Sequence, residues 1–362
     1  MEGNKGGDMR VETYRGAPFV DREEEIEFFV DWFSEVPQRV LWVYGPKSSG
    51  KTTVISYVVD NYLLVEEKKF WVKYFNLRRT LITSYENFLD TFFVELEGGE
   101  SEISGKIGIS VFGFKAEVWE KIKKKKLNLF KVFIEELERV VENGRRCVII
   151  VDEIQKLRDV YIENGNGERE LLKELLNLFV SITKELHLSH VVILTSNTVF
   201  IERVYNDARM KETSRFKKID HLKREQVEEW LTIEGFNSSE KELVWEYYGG
   251  SISRILEAIK AKRRGYDLKK FLEHEAWLAY TEIDEFLAVF GDEEVEFFTR
   301  VAEEIVNRGY YSIRGLKEDK RKFLQKWAEK EILFYDPLEL KVTGNSRIYE
   351  KGLEILLTPQ RV

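Results

Sequence analysis

Eight consecutive residues, Gly45-Pro46-Lys47-Ser48-Ser49-Gly50-Lys51-Thr52, carry the spacing G-x-x-x-x-G-K-T of a phosphate-binding P-loop. Glycines let such a loop curl until successive backbone N–H groups converge on phosphate oxygens, at a helix N-terminus that already favours anions. Lys51 supplies a compact cation for the terminal phosphates, and the Thr52 hydroxyl is expected to ligate Mg²⁺. The binding segment is expected to run on through Thr53.

A second element must hold the metal and the attacking water. The apolar run Cys147–Val151 ends in Asp152-Glu153. Asp152 is expected as the Walker B metal ligand, and Glu153 as the base that polarises the water. The separation, 152 − 51 = 101 residues, is too long for one crossover and leaves room for an extra strand between the two motifs. P-loop ATPases with a catalytic glutamate are built that way. The absence of Asn-Lys-x-Asp after the P-loop points to ATP rather than GTP. A third apolar run ends in Thr195-Ser196-Asn197. Asn197 is expected to orient water or the γ-phosphate, against the plainer reading of a helix N-cap. Arg215 and Arg254 are candidates to offset transition-state charge, in cis or in trans, against the alternative of surface ion pairs.

These residues need a scaffold. Strands Val40–Tyr44, Phe70–Phe75, Cys147–Val151 and Val191–Thr195 are apolar but for Lys73 and Thr195 and alternate with helical patterns. That predicts an α/β fold: a P-loop NTPase parallel sheet with helices on both faces. A helix is predicted to open at Asp21 and end before Pro37, and another to run from Thr53 to about Leu64. Further helices are predicted through Tyr85–Leu96, 128–142 and 168–187. Residues 1–16 read as a loose tail, 17–222 as the ATPase core and about 98–118 as a hairpin insertion. Residues 223–282 read as a helical lid. The stretch 283–362 reads as a winged-helix domain with a terminal hairpin, Leu338–Val342 against Arg347–Glu350.

Composition narrows the class. With 43% hydrophobic residues in 362, the chain can bury a sizeable core, and no apolar run approaches a membrane span. A single cysteine, Cys147, excludes an intrachain disulfide, and the four histidines lack metal-ligand spacing. The polar start carries no apolar leader, so a cytoplasmic protein is expected. The charged fraction, 34% against about 25% in ordinary domains, resembles a thermophile composition.

Together, Phe19-Val20-Asp21-Arg22-Glu23-Glu24-Glu25, Gly45–Thr52, Val148–Glu153, Thr195–Asn197, Ser214-Arg215-Phe216 and Gly249-Gly250 resemble the archaeal ATPase family, which is related to AAA+ and STAND ATPases and to Orc-type initiators. The resemblance covers about residues 17–265. It implies an ATPase core, a helical lid and a C-terminal winged helix. It also implies that Phe19, Val20 and Arg22 lie near the adenine, that Arg215 is the arginine before the last core strand, and that Arg254 is a lid arginine. Where such lids usually have proline after Gly-Gly, this chain has Ser251.

For partners, Ile305–Lys330 holds eight basic residues (Arg308, Arg314, Lys317, Lys320, Arg321, Lys322, Lys326, Lys330) against Glu318, Asp319 and Glu329. That is 8 − 3 = +5 in a chain of net charge −8. A basic helix in a winged helix suits duplex DNA, unless its lysines are merely the solvated side of a core helix. Two functions follow: an ATPase that remodels or loads something on DNA, or a slow nucleotide-gated switch. The switch would bind a protein partner through its winged helix, and a homo-oligomer is a further partner to consider.

Overall fold

A computed structural model describes residues 12–14, 17–19, 22–65, 69–79, 81–96, 112–115, 122, 128–164, 167–206 and 208–358. These form two compact units. One comprises Glu24–Gly45 and Lys51–Ile219; the other takes residues up to Glu23, Pro46–Gly50 and everything from Asp220.

The first unit is built on five parallel strands: β1 (Val40–Tyr44), β2 (Phe70–Asn76), β3 (Arg146–Asp152), β4 (Ser189–Leu194) and β5 (Ser214–Lys218). Their order across the sheet is β5-β1-β4-β3-β2. β4 therefore lies between the strand that feeds Gly45 and the strand that ends in Asp152, the extra strand that the long separation requires. All residues of β1 and β4 are buried, as expected for a sheet covered on both faces. The covering helices include Glu23–Ser34, Lys51–Val58, Leu129–Glu142, Leu171–Val180 and Thr198–Asn206. The Asn128 side chain caps its helix through the Phe130 N–H at 2.9 Å.

Three expectations change here. The helix predicted through Leu96 stops at Phe92, and Phe93–Leu96 is a strand. That strand pairs in parallel with Phe112–Lys115, so the pairing is not that of a hairpin; the rest of 98–118 lies outside the described residues. The helix predicted over 168–187 begins only at Leu171, because Tyr161–Asn164 and Gly167–Glu170 form an antiparallel hairpin before it.

In the second unit, helices Arg224–Ile233, Ser238–Tyr248, Ile252–Arg263 and Leu268–Leu287 pack around Trp230, Tyr248 and Leu272. Asn237 and Glu240 cap each other's backbone N–H groups, at 3.0 and 2.8 Å, to start the second helix. The expected boundary at 282/283 falls inside the unbroken helix Leu268–Leu287. Ile283 belongs to the core that follows, with helices Asp292–Arg308 and Glu318–Glu329. There Trp327 stacks on Phe298 at 3.7 Å.

A small antiparallel sheet, β6 (Tyr311–Ser312), β7 (Leu333–Asp336) and β8 (Lys341–Gly344), completes this part in the order β6-β8-β7. The predicted terminal hairpin is thus displaced. β8 pairs with β7, and Arg347–Leu357 is a helix that buries Ile348, Gly352 and Leu353 on one face. Among the described residues no helix is long and apolar enough to cross a membrane.

Candidate nucleotide-binding site

β1 delivers the chain to Gly45, where side chains are excluded. A Cβ at Gly45 would lie 2.0 Å from the Ile219 carbonyl oxygen, with φ at 149°. Lys51 opens the next helix, is 8% exposed, and donates from Nζ to the Gly45 carbonyl at 3.0 Å. Thr52 donates from Oγ1 to Asp152 Oδ2 at 3.1 Å. Asp152 is brought there by the last residue of β3 and is buried.

Tyr74, from β2, also donates to Asp152 Oδ2 at 3.1 Å. Burial pushes the Asp152 carboxyl above its usual range and the neighbouring Glu153 adds to this; Arg78, Thr52 and Tyr74 oppose it. A buried carboxylate and a hydroxyl sharing one contact are hard oxygen donors that suit Mg²⁺.

Glu153 takes a left-handed backbone, φ 64° and ψ 46°, which a non-glycine residue keeps only when its surroundings force it. Three side chains hold its carboxylate. Arg78 pairs with Oε1, the Ser196 hydroxyl donates to Oε1 at 3.3 Å, and Gln155 donates to Oε2 at 2.5 Å. Thr195 in turn donates to Gln155 Oε1 at 3.1 Å.

Asn197 takes the plainer of its two readings. Its Oδ1 accepts from the Phe200 N–H at 2.9 Å, as a cap on the helix Thr198–Asn206, and Ser196 is the residue of this turn that reaches Glu153. Tyr74, Arg78, Gln155 and Ser196 are the site residues that the motifs did not single out.

The middle of the loop belongs to the second unit. Pro46 and Ser49 are buried and Ser48 has φ 62°. Arg22, itself buried, donates to the Ser49 carbonyl at 2.7 Å and to the Asp220 carbonyl at 3.0 Å. The Ser48 carbonyl accepts from the Ile252 N–H at 3.3 Å. The Lys47 N–H reaches Asn345 Oδ1 at 3.4 Å, and its ammonium pairs with Glu331. Phe19 is half-buried in the strand Ala17–Phe19, and Val20 lies outside the described residues.

Neither expected arginine joins the carboxylates. Arg215 pairs with Leu41 near the start of β1, at the far end of the sheet from Gly45, and its guanidinium faces Phe28 and Trp32. Register explains this, since Arg215 enters β5 second and a strand advances only about 3.3 Å per residue. Arg254 is taken by Glu257 and Glu275 at 3.0 and 3.1 Å.

Comparison with known proteins gives the family. Residues 19–258 match the family described as an ATPase domain predominantly from Archaea. An uncharacterized ATP-binding protein of Methanocaldococcus jannaschii is 33% identical over 335 residues, covering 91% of this chain and 97% of its own. Another, from Pyrococcus abyssi, is 32% identical over 346 residues, with 91% and 96% covered. Among solved structures, the Aeropyrum pernix ORC2 protein in its ADPNP–ADP complexes aligns over 92% of this chain and 93% of its own, with 12% identity and a TM-score of 0.47. With Lys51, Thr52, Asp152 and Glu153 in these positions and two thirds of its length matched, the chain belongs to the archaeal ATPase family.

Proposed function

We propose that the chain binds Mg·ATP along Gly45–Thr53 and hydrolyses it. The Thr52–Asp152 contact at 3.1 Å carries the reading, because it joins the two motifs, a hundred residues apart in sequence, at the point where a metal must sit. Lys51 binds the terminal phosphates, and Thr52 and Asp152 hold the Mg²⁺. The ion, when bound, neutralises charge developing on the phosphate oxygens. Glu153 takes the proton of the attacking water, with Ser196 and Gln155 fixing the direction of its carboxylate. Phe19 and Arg22 are assigned to the adenine side, residues 17–222 to the ATPase core, the helices from Arg224 to the lid, and the elements from Asp292 to a winged helix.

The output of turnover has two readings. In the first, hydrolysis drives remodelling or loading on duplex DNA through the basic helix Glu318–Glu329. In the second, the nucleotide state gates an interaction surface. Lys47 favours the second, since a residue of the loop itself is held by Asn345 and Glu331 of the C-terminal elements. A phosphate arriving at the loop would compete for those contacts.

The deciding experiment is ATP hydrolysis by the purified protein at elevated temperature, with and without duplex DNA, using Lys51→Ala as the blank. Turnover lost in Lys51→Ala is expected; unchanged turnover refutes the site. Stimulation by DNA selects loading, and slow DNA-indifferent turnover selects the gate.

A further inference from the structure

The parallel sheet has a second end, opposite the strand ends that carry Gly45 and Asp152. There Trp32, Glu35, Gln38, Arg39, His190 and Arg215 line a cavity of about 90 Å³. His190 is 1% exposed, and one of its ring nitrogens, Nε2, bonds the Glu35 carbonyl oxygen at 3.1 Å. A carbonyl only accepts, so Nε2 carries the proton and Nδ1 keeps a lone pair. Among the described residues Nδ1 is buried with no hydrogen-bond partner, and so is the Trp32 indole nitrogen, which can only donate. Arg215 lies over the rings of Phe28 and Trp32 at 5.6 and 5.7 Å, which fixes its plane and leaves its N–H edges unused. Among the described residues neither Arg215 nor Arg39 has a carboxylate within ion-pair distance.

Four donors and one acceptor define the ligand. Arg215, Arg39, Trp32 and Gln38 ask for charged oxygens, and His190 Nδ1 asks for a hydrogen. Inorganic phosphate supplies both at neutral pH, and a phosphate monoester supplies both as its monoanion, the form it takes below its second ionisation near pH 6. Carboxylate and sulfate supply only the oxygens. We propose that this cavity binds a terminal phosphoryl group, its oxygens held by Arg215, Arg39 and Trp32 and its hydroxyl donated to His190 Nδ1. Glu35, the acidic side chain on the rim, competes for the arginines and limits the affinity. Burial keeps the His190 ring neutral, with its pKa pushed down to about 4, and Arg146 beside it acts in the same sense. The site uses none of the residues assigned to ATP.

The test uses the full chain, labelled with ¹⁵N at its four histidines and saturated with ADP and Mg²⁺ so that the glycine-rich loop is filled. Inorganic phosphate, O-phosphoserine and sulfate are titrated at constant ionic strength while the imidazole nitrogens are followed. His190 Nδ1 is expected to shift saturably with phosphate, and sulfate to bind several-fold more weakly. Arg215→Ala is expected to weaken phosphate by about tenfold or more, the scale of a charge-assisted hydrogen bond. Arg39→Ala, at an exposed position that should not disturb folding, is expected to weaken it several-fold, and Glu35→Gln to tighten it. A response to phosphoserine as well identifies a phosphoryl group on a larger ligand; a response to phosphate alone identifies the free ion. A His190 signal indifferent to phosphate, or titrating identically in Arg215→Ala and Arg39→Ala, overturns the site. Equal affinity for sulfate overturns the hydroxyl contact.

Discussion

At Glu153 a left-handed backbone presents a carboxylate that Arg78, Gln155 and Ser196 all hold. Glu153→Gln keeps the shape but cannot take a proton, so ATP affinity should persist while turnover falls by about a hundredfold or more; nucleotide binding and steady-state hydrolysis measured side by side check this. Arg78 occupies Oε1 of that carboxylate, so Arg78→Ala should free it for water and raise basal turnover several-fold, read as kcat with KM unchanged. Asp152 and Glu153 were legible because an apolar run ends on two adjacent acids. Arg78 and Tyr74 were not, since only the register that sets Asn76 opposite Asp152 brings β2 beside them. His190 gives a pH prediction. Its pKa of about 4 lies below the ordinary 6.5, so between those values the unfolded chain binds a proton that the native state excludes. Stability therefore falls as pH falls through that window, by up to about 3 kcal/mol, and His190→Gln should flatten the fall in denaturant titrations.

Gly250 shows how tightly the helical elements join. A Cβ there would lie 1.9 Å from the Leu222 carbonyl oxygen, the segment whose N–H bonds the Gly250 carbonyl at 3.0 Å. Gly250→Ala should cost about 2–3 kcal/mol, measured as a lowered denaturation midpoint. The basic helix Glu318–Glu329 is less free than its composition suggests. Lys320 pairs with Glu293, Lys322 with Glu318, and Arg321 donates to the Ile313 and Leu316 carbonyls. If duplex DNA docks here, Arg314 and Lys317, both exposed, should carry the phosphate contacts. Arg314→Ala with Lys317→Ala should then reduce the salt slope of binding by about two, and Lys322→Ala should leave it nearly unchanged. The C-terminal hairpin was misplaced because Thr343-Gly344-Asn345-Ser346 has turn composition. That turn leads into a helix, and the helical spacing of Ile348, Gly352 and Leu353 outweighs the short alternation of Arg347–Glu350.

Across the molecule, the sheet class and the order of motifs were readable because buried parallel strands leave continuous apolar runs. The division into two units was not, since it assigns Pro46–Gly50 with residues far along the chain and no local signal marks that. Among the described residues, pairs such as Lys131–Glu135, Arg300–Glu296 and Arg308–Glu304 are exposed on both sides, so they contribute little at 25 °C and gain weight only on heating. Cys147 reports on the whole fold. It is the sole cysteine, buried in β3, with its thiol pushed up to about 12 by burial. A thiol reagent should modify it only as fast as the protein unfolds, a rate readable by mass spectrometry. The placement of Pro46–Gly50 also sets an order of events during synthesis. Those five residues leave the ribosome early, yet their partners Ile252, Glu331 and Asn345 follow much later. The unit is complete only after the helix Arg347–Leu357, which is 357 − 50 = 307 residues further on. At about 5–20 residues per second the wait is roughly 15 to 60 s. For that interval the glycine-rich loop is a nascent segment without those three contacts, open to chaperones and to nucleotide alike.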